Sequence, residues 1–195
     1  MPVPVPRELP ADVSAFTGRH AELTELDQLL PVTTPGAGDE APEAMVVWVV
    51  SGTAGVGKTA LAVRWAHRVK GAFPDGQLYV NLRGYDPGLP VPATEALAQF
   101  LRALGVADSS VPLTEAERAA RYRSIVAGKR LLVVLDNAAS VEQVRPLLPG
   151  TPTVMVVVTS RDSLAGLVAR DGAHRLRLDL LPTAESVVLL SRLVG

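Results

Sequence analysis

The chain has 195 residues, 48% of them apolar, enough for one packed domain with room for a fragment of a second. Its formal net charge of −1 supplies no basic field toward nucleic acid or an anionic membrane, and the lack of cysteine excludes disulfides, thiolate zinc sites and cysteine nucleophiles together. The longest apolar runs, such as Met45–Val50 and Val154–Val158, are too short to span a bilayer, and MPVPVPRELP lacks the charged-then-apolar pattern of a signal peptide, so a cytoplasmic protein without membrane contact is expected.

Residues 1–15 alternate proline with valine and then turn polar, which predicts an entering linker that offers little to a core. Phe16-Thr17-Gly18-Arg19 leads into a helix predicted from His20 to about Leu30, with Leu23, Leu26, Leu29 and Leu30 on one face. The stretch Pro31–Ala44, rich in proline, glycine and acid, reads as a mobile surface loop.

The informative segment comes next. An apolar, β-branched run over Met45–Val50 stops at Ser51, and Gly52, Thr53, Ala54, Gly55, Val56, Gly57, Lys58 and Thr59 fit GxxxxGK[ST] without a mismatch. An apolar helical pattern follows at once through Ala60, Leu61, Val63, Trp65, Ala66 and Val69. Strand, glycine loop and helix form the context a phosphate-binding loop requires. Its glycines let successive backbone N–H groups curl round a phosphate, and the helix N-terminus adds partial positive charge at the same point. Lys58 is then expected to reach the β- and γ-phosphates and the Thr59 hydroxyl to sit on Mg²⁺.

Beyond that helix, Gly71–Gly76 is a terminator and Gln77–Leu82 a second strand. Arg83–Pro92 (RGYDPGLPVP) carries five breakers and cannot be regular. Helices are predicted over Ala93–Leu104 and Thr114–Ala127, the second with a capping-box start and with Arg118, Arg121 and Arg123 as a solvated face. A third strand, Leu131–Leu135, reads as buried on both faces of a parallel sheet and ends in Asp136-Asn137. A short helix over Ser140–Leu147, a fourth strand over Val154–Val158 ending in Thr159-Ser160-Arg161, and a short helix to about Ala169 come next. A fifth strand is predicted over His174–Leu180, and a last helix begins at Thr183. The alternation predicts an α/β doubly wound parallel sheet with ligand at the carboxyl ends of the strands.

Asp136, at the end of a buried strand, is placed to hold Mg²⁺ directly or through water; a helix-capping aspartate is the alternative. Asn137 stands where many P-loop ATPases carry a second carboxylate, and an amide can orient a water but cannot take its proton, which predicts slow hydrolysis. Arg161, just past the fourth strand, suits the γ-phosphate, with a salt bridge to Asp162 or a neighbouring loop as the alternative. Thr159 and Ser160 could support it with hydroxyls. The three histidines are too scattered for a metal site, and both tryptophans read as core.

With these motifs in this order the chain resembles the NB-ARC nucleotide-binding domain of the STAND ATPases, in particular that of Streptomyces antibiotic regulatory protein-type transcriptional regulators. The resemblance is carried by PxxLPADVxxFTGR, GTAGVGKTALA, VNLRGYDP, LLVVLDNA and VVVTSRD within Pro6–Arg161. It implies a P-loop NTPase three-layer sandwich with a five-stranded parallel sheet over residues 16–182, and the start of a truncated helical lid over 183–195. It implies that Phe16 and Arg19 line the adenine and phosphate side, that Gly52–Thr59 is the Walker A loop, that Asp136 is the Walker B acid and that Arg161 is the sensor arginine. His20 stands where a glutamate often follows that first arginine, and the GLPL and winged-helix histidine motifs are missing. The expected function is an ATP/ADP regulatory switch using Mg²⁺, with Lys58, Asp136 and Arg161 serving any slow hydrolysis. Its expected partners are nucleotide, further helical, winged-helix or repeat domains, and other copies in a nucleotide-dependent manner, with no direct contact to nucleic acid. A P-loop phosphotransferase acting on a small molecule is the alternative.

Overall fold

The computed structural model describes residues 5–30 and 44–194. The loop predicted over Pro31–Ala44 therefore lies, except for Ala44, outside the described residues, as do the first four residues of the predicted linker and Gly195.

The chain runs α1 (His20–Asp27), β1 (Val46–Ser51), α2 (Lys58–Val69), β2 (Gly76–Asn81), α3 (Ala93–Ala103), α4 (Glu115–Val126), β3 (Leu131–Ala138), α5 (Val141–Val144), β4 (Val154–Ser160), α6 (Ala165–Asp171), β5 (His174–Arg177) and α7 (Thr183–Val194), with short 3₁₀ turns between some of them. All five strands are parallel in the order β2-β3-β4-β1-β5. The expected three-layer architecture is what forms.

Strand alternation explains the layers, because successive side chains leave a strand on opposite faces. Val47, Val49, Leu131, Val133, Leu135, Val154, Val156 and Val158 pack on one face under α3 to α6. Trp48, Val50, Leu132, Val134, Met155 and Val157 pack on the other under α1 and α2, with Leu61, Trp65 and Ala66. Neither face meets water, so these strands read as unbroken apolar runs. Both tryptophans are core residues as expected: Trp65 Nε1 donates to Asp27 Oδ1 at 3.0 Å, and Trp48 is buried beside His174.

The strand ends differ from the predicted limits for reasons that bear on the site. β3 continues past Leu135 through a register shift, in which Asn137 takes a left-handed conformation at φ 56°. β4 continues to Ser160, and the Thr159 hydroxyl accepts the Asn137 backbone N–H at 2.9 Å. β5 stops three residues early, because β1, its one neighbour among the described residues, ends at Ser51, the partner of Arg177. Leu178 makes one more bond to the Ser51 carbonyl at 2.7 Å and is buried, whereas Leu180 is exposed.

The segment before Phe16 also departs from expectation. Instead of standing apart from the core, residues 6–12 dock against the free edge of β2 and against α2. Gln77 N–H donates to the Pro6 carbonyl at 2.8 Å and Glu8 N–H to the Gln77 carbonyl at 3.0 Å. His67 Nε2 meets the Pro10 carbonyl at 2.8 Å, and Asp12 pairs with Arg64 at 2.5 Å. An edge strand offers unpaired donors and acceptors, and even a proline-rich segment can satisfy them through its carbonyls. Arg118, expected on a solvated face, instead donates to the carbonyls of Pro112 and Thr94 and ties the α3–α4 connection.

Candidate functional site

The strand order puts β1 between β4 and β5, with β3 one strand further on, so the ends of β1, β4 and β3 face one crevice at the carboxyl edge of the sheet. β1 delivers Ser51, and the chain turns through Gly52–Gly57 into α2. Gly55 and Gly57 adopt φ of 75° and 97°, while a Cβ at either would meet open space, so backbone geometry and not crowding demands glycine there. The first amides of α2 have no partner within the helix and cluster at its positive end. Val56 is the loop's one buried side chain and anchors it to the core below α2.

A cleft of about 530 Å³ opens in front of this loop. Ala54, Gly55, Gly57, Lys58, Thr59 and Ala60 line it from the loop and α2, Tyr79 and Asn81 from β2, Asp136 and Asn137 from β3, and Thr159 and Arg161 from the end of β4. Lys58 Nζ lies across the loop and donates to the carbonyls of Gly52 at 2.8 Å and Thr53 at 2.7 Å. Burial, and the nearby Arg161 guanidinium, hold its pKa below the ordinary lysine value against the opposing pull of Asp136.

Asp136 is buried and gathers three hydroxyls. Thr59 Oγ1 and Thr159 Oγ1 donate to Oδ1 at 2.8 and 2.5 Å, and the Tyr79 hydroxyl donates to Oδ2 at 3.1 Å. Burial, together with the adjacent carboxylate, pushes the Tyr79 pKa well up, so this phenol remains a proton donor. A hydroxyl that donates to a carboxylate keeps its lone pairs free, so Thr59 and Asp136 offer hard oxygens side by side. Among the described residues no group of three or more His, Cys, Asp or Glu could hold a metal. This donor chemistry fits Mg²⁺, which takes one or two protein oxygens and completes its shell with phosphates and water.

Arg161 is exposed, and its guanidinium lies 4.8 Å from the centroid of the Tyr85 ring. Among the described residues it forms no salt bridge, so the alternative pairing with Asp162 is not what holds it. It also borders a second cleft of about 320 Å³, which Gly52 and Thr53 share with Arg175 and Arg177. Asn137 donates through Nδ2 to Asp86 Oδ1 at 3.0 Å. Tyr79, Tyr85 and Asp86 are the residues that sequence reasoning missed. Tyr79 could have been found from β2 alone, since it precedes the strand end by one pleat, whereas Tyr85 and Asp86 sit in a loop whose path the sequence does not reveal.

The family model for the NB-ARC domain matches residues 38–195. The chain belongs to the NB-ARC family. This NB-ARC domain is 48% identical over 191 residues to the regulatory protein AfsR of Streptomyces coelicolor, and 48% identical over 190 residues to AfsR of Streptomyces griseus. Each match covers 97% of this chain and 18% of the relative, so the chain spans about a fifth of the length of these regulators. Among solved structures it is similar to the Cdc6p protein of Pyrobaculum aerophilum, with a TM-score of 0.62 and 18% identity over 98% of this chain and 52% of that one. It is also similar to the ORC2 protein of Aeropyrum pernix in ADPNP–ADP complexes, with a TM-score of 0.60 and 17% identity over 93% and 53%. These likenesses show the fold alone, a parallel α/β sandwich.

Two expected residues of the NB-ARC domain lie away from the phosphate cleft. Arg19 is buried, itself in a left-handed conformation, and its guanidinium pairs with Glu22 at 2.7 Å and donates to the carbonyls of Val56 at 3.2 Å and Asp179 at 2.5 Å. It braces the phosphate loop from behind and ties it to the chain leaving β5. Phe16 lines a separate cavity of about 510 Å³ with Gly18, His20, Leu23 and the first residues of α7, and the Arg64 guanidinium lies 5.9 Å from its ring.

Proposed function

We propose that this domain is an ATP/ADP-binding regulatory switch of a larger cytoplasmic transcriptional regulator. The observation that carries the proposal is the convergence of Lys58, Thr59, Asp136 and Arg161 on one cleft at the carboxyl edge of the sheet. Polyphosphate would enter against the amides of Gly55–Thr59, and Lys58 would exchange the carbonyls of Gly52 and Thr53 for the β- and γ-oxygens. Thr59 and Asp136 would hold Mg²⁺, which when bound neutralises phosphate charge. Arg161 would meet the γ-phosphate, the only part of ATP that ADP lacks, and so report which nucleotide is present. Asn137 orients water without accepting a proton, which makes any hydrolysis slow and suits it to resetting a state. Phe16 would contribute to the base side, and Arg19 would act through the loop it braces. α7, whose Val187, Leu190 and Leu193 are exposed, would be the first helix of a lid that moves between the two states and exposes a surface for self-association. DNA contact would then belong to other parts of the regulator.

Hydrogen exchange in saturating ADP and in a non-hydrolysable ATP analogue, together with product analysis after ATP incubation, tests this reading. A switch predicts different protection at Arg161 and α7 in the two states and little phosphate release. Identical protection, or rapid phosphoryl transfer to added alcohols, would favour a small-molecule phosphotransferase instead.

A further inference from the structure

Arg161 stands on the wall between two clefts: the phosphate cleft, and the one it shares with Arg175 and Arg177. The side chain is long and exposed, and among the described residues no salt bridge holds it to either side. What it does have is the face of Tyr85, at 4.8 Å. Stacking on an aromatic face fixes the guanidinium plane yet leaves its N–H edges free to donate.

Tyr85 is itself held in place by the chain around it. Leu82 N–H donates to the Asp136 carbonyl at 2.8 Å and Gly84 N–H to the Asn137 carbonyl at 2.7 Å. A Cβ on Gly84 would come within 2.4 Å of the Ala139 nitrogen, so only glycine allows this approach to β3. On the far side of the ring's attachment, Asp86 accepts from Asn137 at 3.0 Å, and the Tyr85 hydroxyl meets Ser160 Oγ at 3.4 Å. The turn Arg83–Asp86 thus grips the ends of both β3 and β4 and carries the ring on which Arg161 rests.

We propose that Tyr85 is a positioning residue for nucleotide discrimination: it holds the Arg161 guanidinium on the phosphate-cleft side, oriented for the γ-phosphate of ATP. This rests on the nucleotide-switch reading above. Without the ring, Arg161 must give up more rotational freedom to meet the phosphate, and ATP alone pays that cost, since ADP has no γ-phosphate to meet.

Calorimetric titration of a non-hydrolysable ATP analogue and of ADP, both with Mg²⁺, tests the proposal on the wild type, Tyr85→Leu, Tyr85→Phe, Arg161→Ala and the Tyr85→Leu/Arg161→Ala double variant. A cation–aromatic contact at an exposed site predicts that Tyr85→Leu weakens the ATP analogue by about two- to fivefold and leaves ADP unchanged. Tyr85→Phe keeps the ring beneath the guanidinium and gives up only the 3.4 Å contact to Ser160, so its preference for the ATP analogue over ADP matches the wild type. In the Arg161→Ala background, the Tyr85→Leu change has no further effect. Unchanged or tighter analogue binding by Tyr85→Leu, equal losses for both nucleotides, or the same loss without Arg161 would overturn the role of Tyr85 while leaving the nucleotide site intact. A wild type that binds neither nucleotide would overturn the underlying switch reading and this proposal with it.

Discussion

Asp136 accepts three hydroxyl donors on two oxygens and has almost no exposure. A buried carboxylate needs such partners whether or not it meets a metal, so the network alone would suit a structural aspartate. Its position supports the functional reading proposed above, since one of the three donors is the Thr59 hydroxyl, the last residue of the phosphate loop. Asp136→Asn keeps an acceptor for these hydroxyls but removes the charge, and Thr59→Ala removes the second oxygen. Each should lose the gain in ATP affinity that Mg²⁺ gives the wild type, on the order of tenfold. Titrations with Mg²⁺ and with chelator check this, and variants that still gain affinity from the metal would contradict the assignment. Lys58, Thr59, Asp136 and Arg161 were all legible in the sequence because each sits at a fixed offset from a strand end, and parallel strand ends meet at one edge. Arg19 was harder, because spacing places it near the loop without saying which way its side chain turns. Its guanidinium goes to backbone carbonyls behind the loop.

Among the elements, the turn Arg83–Asp86 shows where sequence reasoning stops. Its breakers mark it as irregular, and it is, yet irregularity says nothing about where the turn is fastened. The Leu82 and Gly84 amides bind β3 carbonyls beyond Leu135, where the register shifts, and the apolar run that announces β3 has already ended there. Gly84→Ala tests how tightly the turn is held. A Cβ that would sit 2.6 Å from the Asn137 carbonyl oxygen forces the turn off the strand, with an expected loss of about 1–3 kcal/mol in urea unfolding. An unchanged midpoint would mean that the approach of Gly84 to β3 contributes nothing to stability. Helices were read more fully than strand ends. The capping box of Thr114 and Glu117 forms as its spacing predicts, because both partners lie within one turn of chain. β5 could not be bounded from its alternating leucines, since its length depends on where β1 ends.

At the scale of the whole molecule, alternation of strands and helices was enough for the parallel three-layer class, but not for the order β2-β3-β4-β1-β5. That order is a long-range property, and it brings Tyr79 of β2 and Thr159 of β4 to Asp136 of β3 from either side. The docking of residues 6–12 on the β2 edge is long-range in the same sense. No helix among the described residues is long and apolar enough to cross a membrane, and the net charge of −1 gives this domain no broad attraction to DNA. The chain is about a fifth of the length of its AfsR relatives. The central claim concerns the loop itself. Calorimetric titration of Mg-ADP into the wild type and Lys58→Ala tests it most directly. The account predicts saturable binding by the wild type and a loss of about ten- to hundredfold in the variant, the worth of a charge-assisted hydrogen bond to phosphate. Equal affinity in the two proteins, or no binding by a folded wild type, would contradict it.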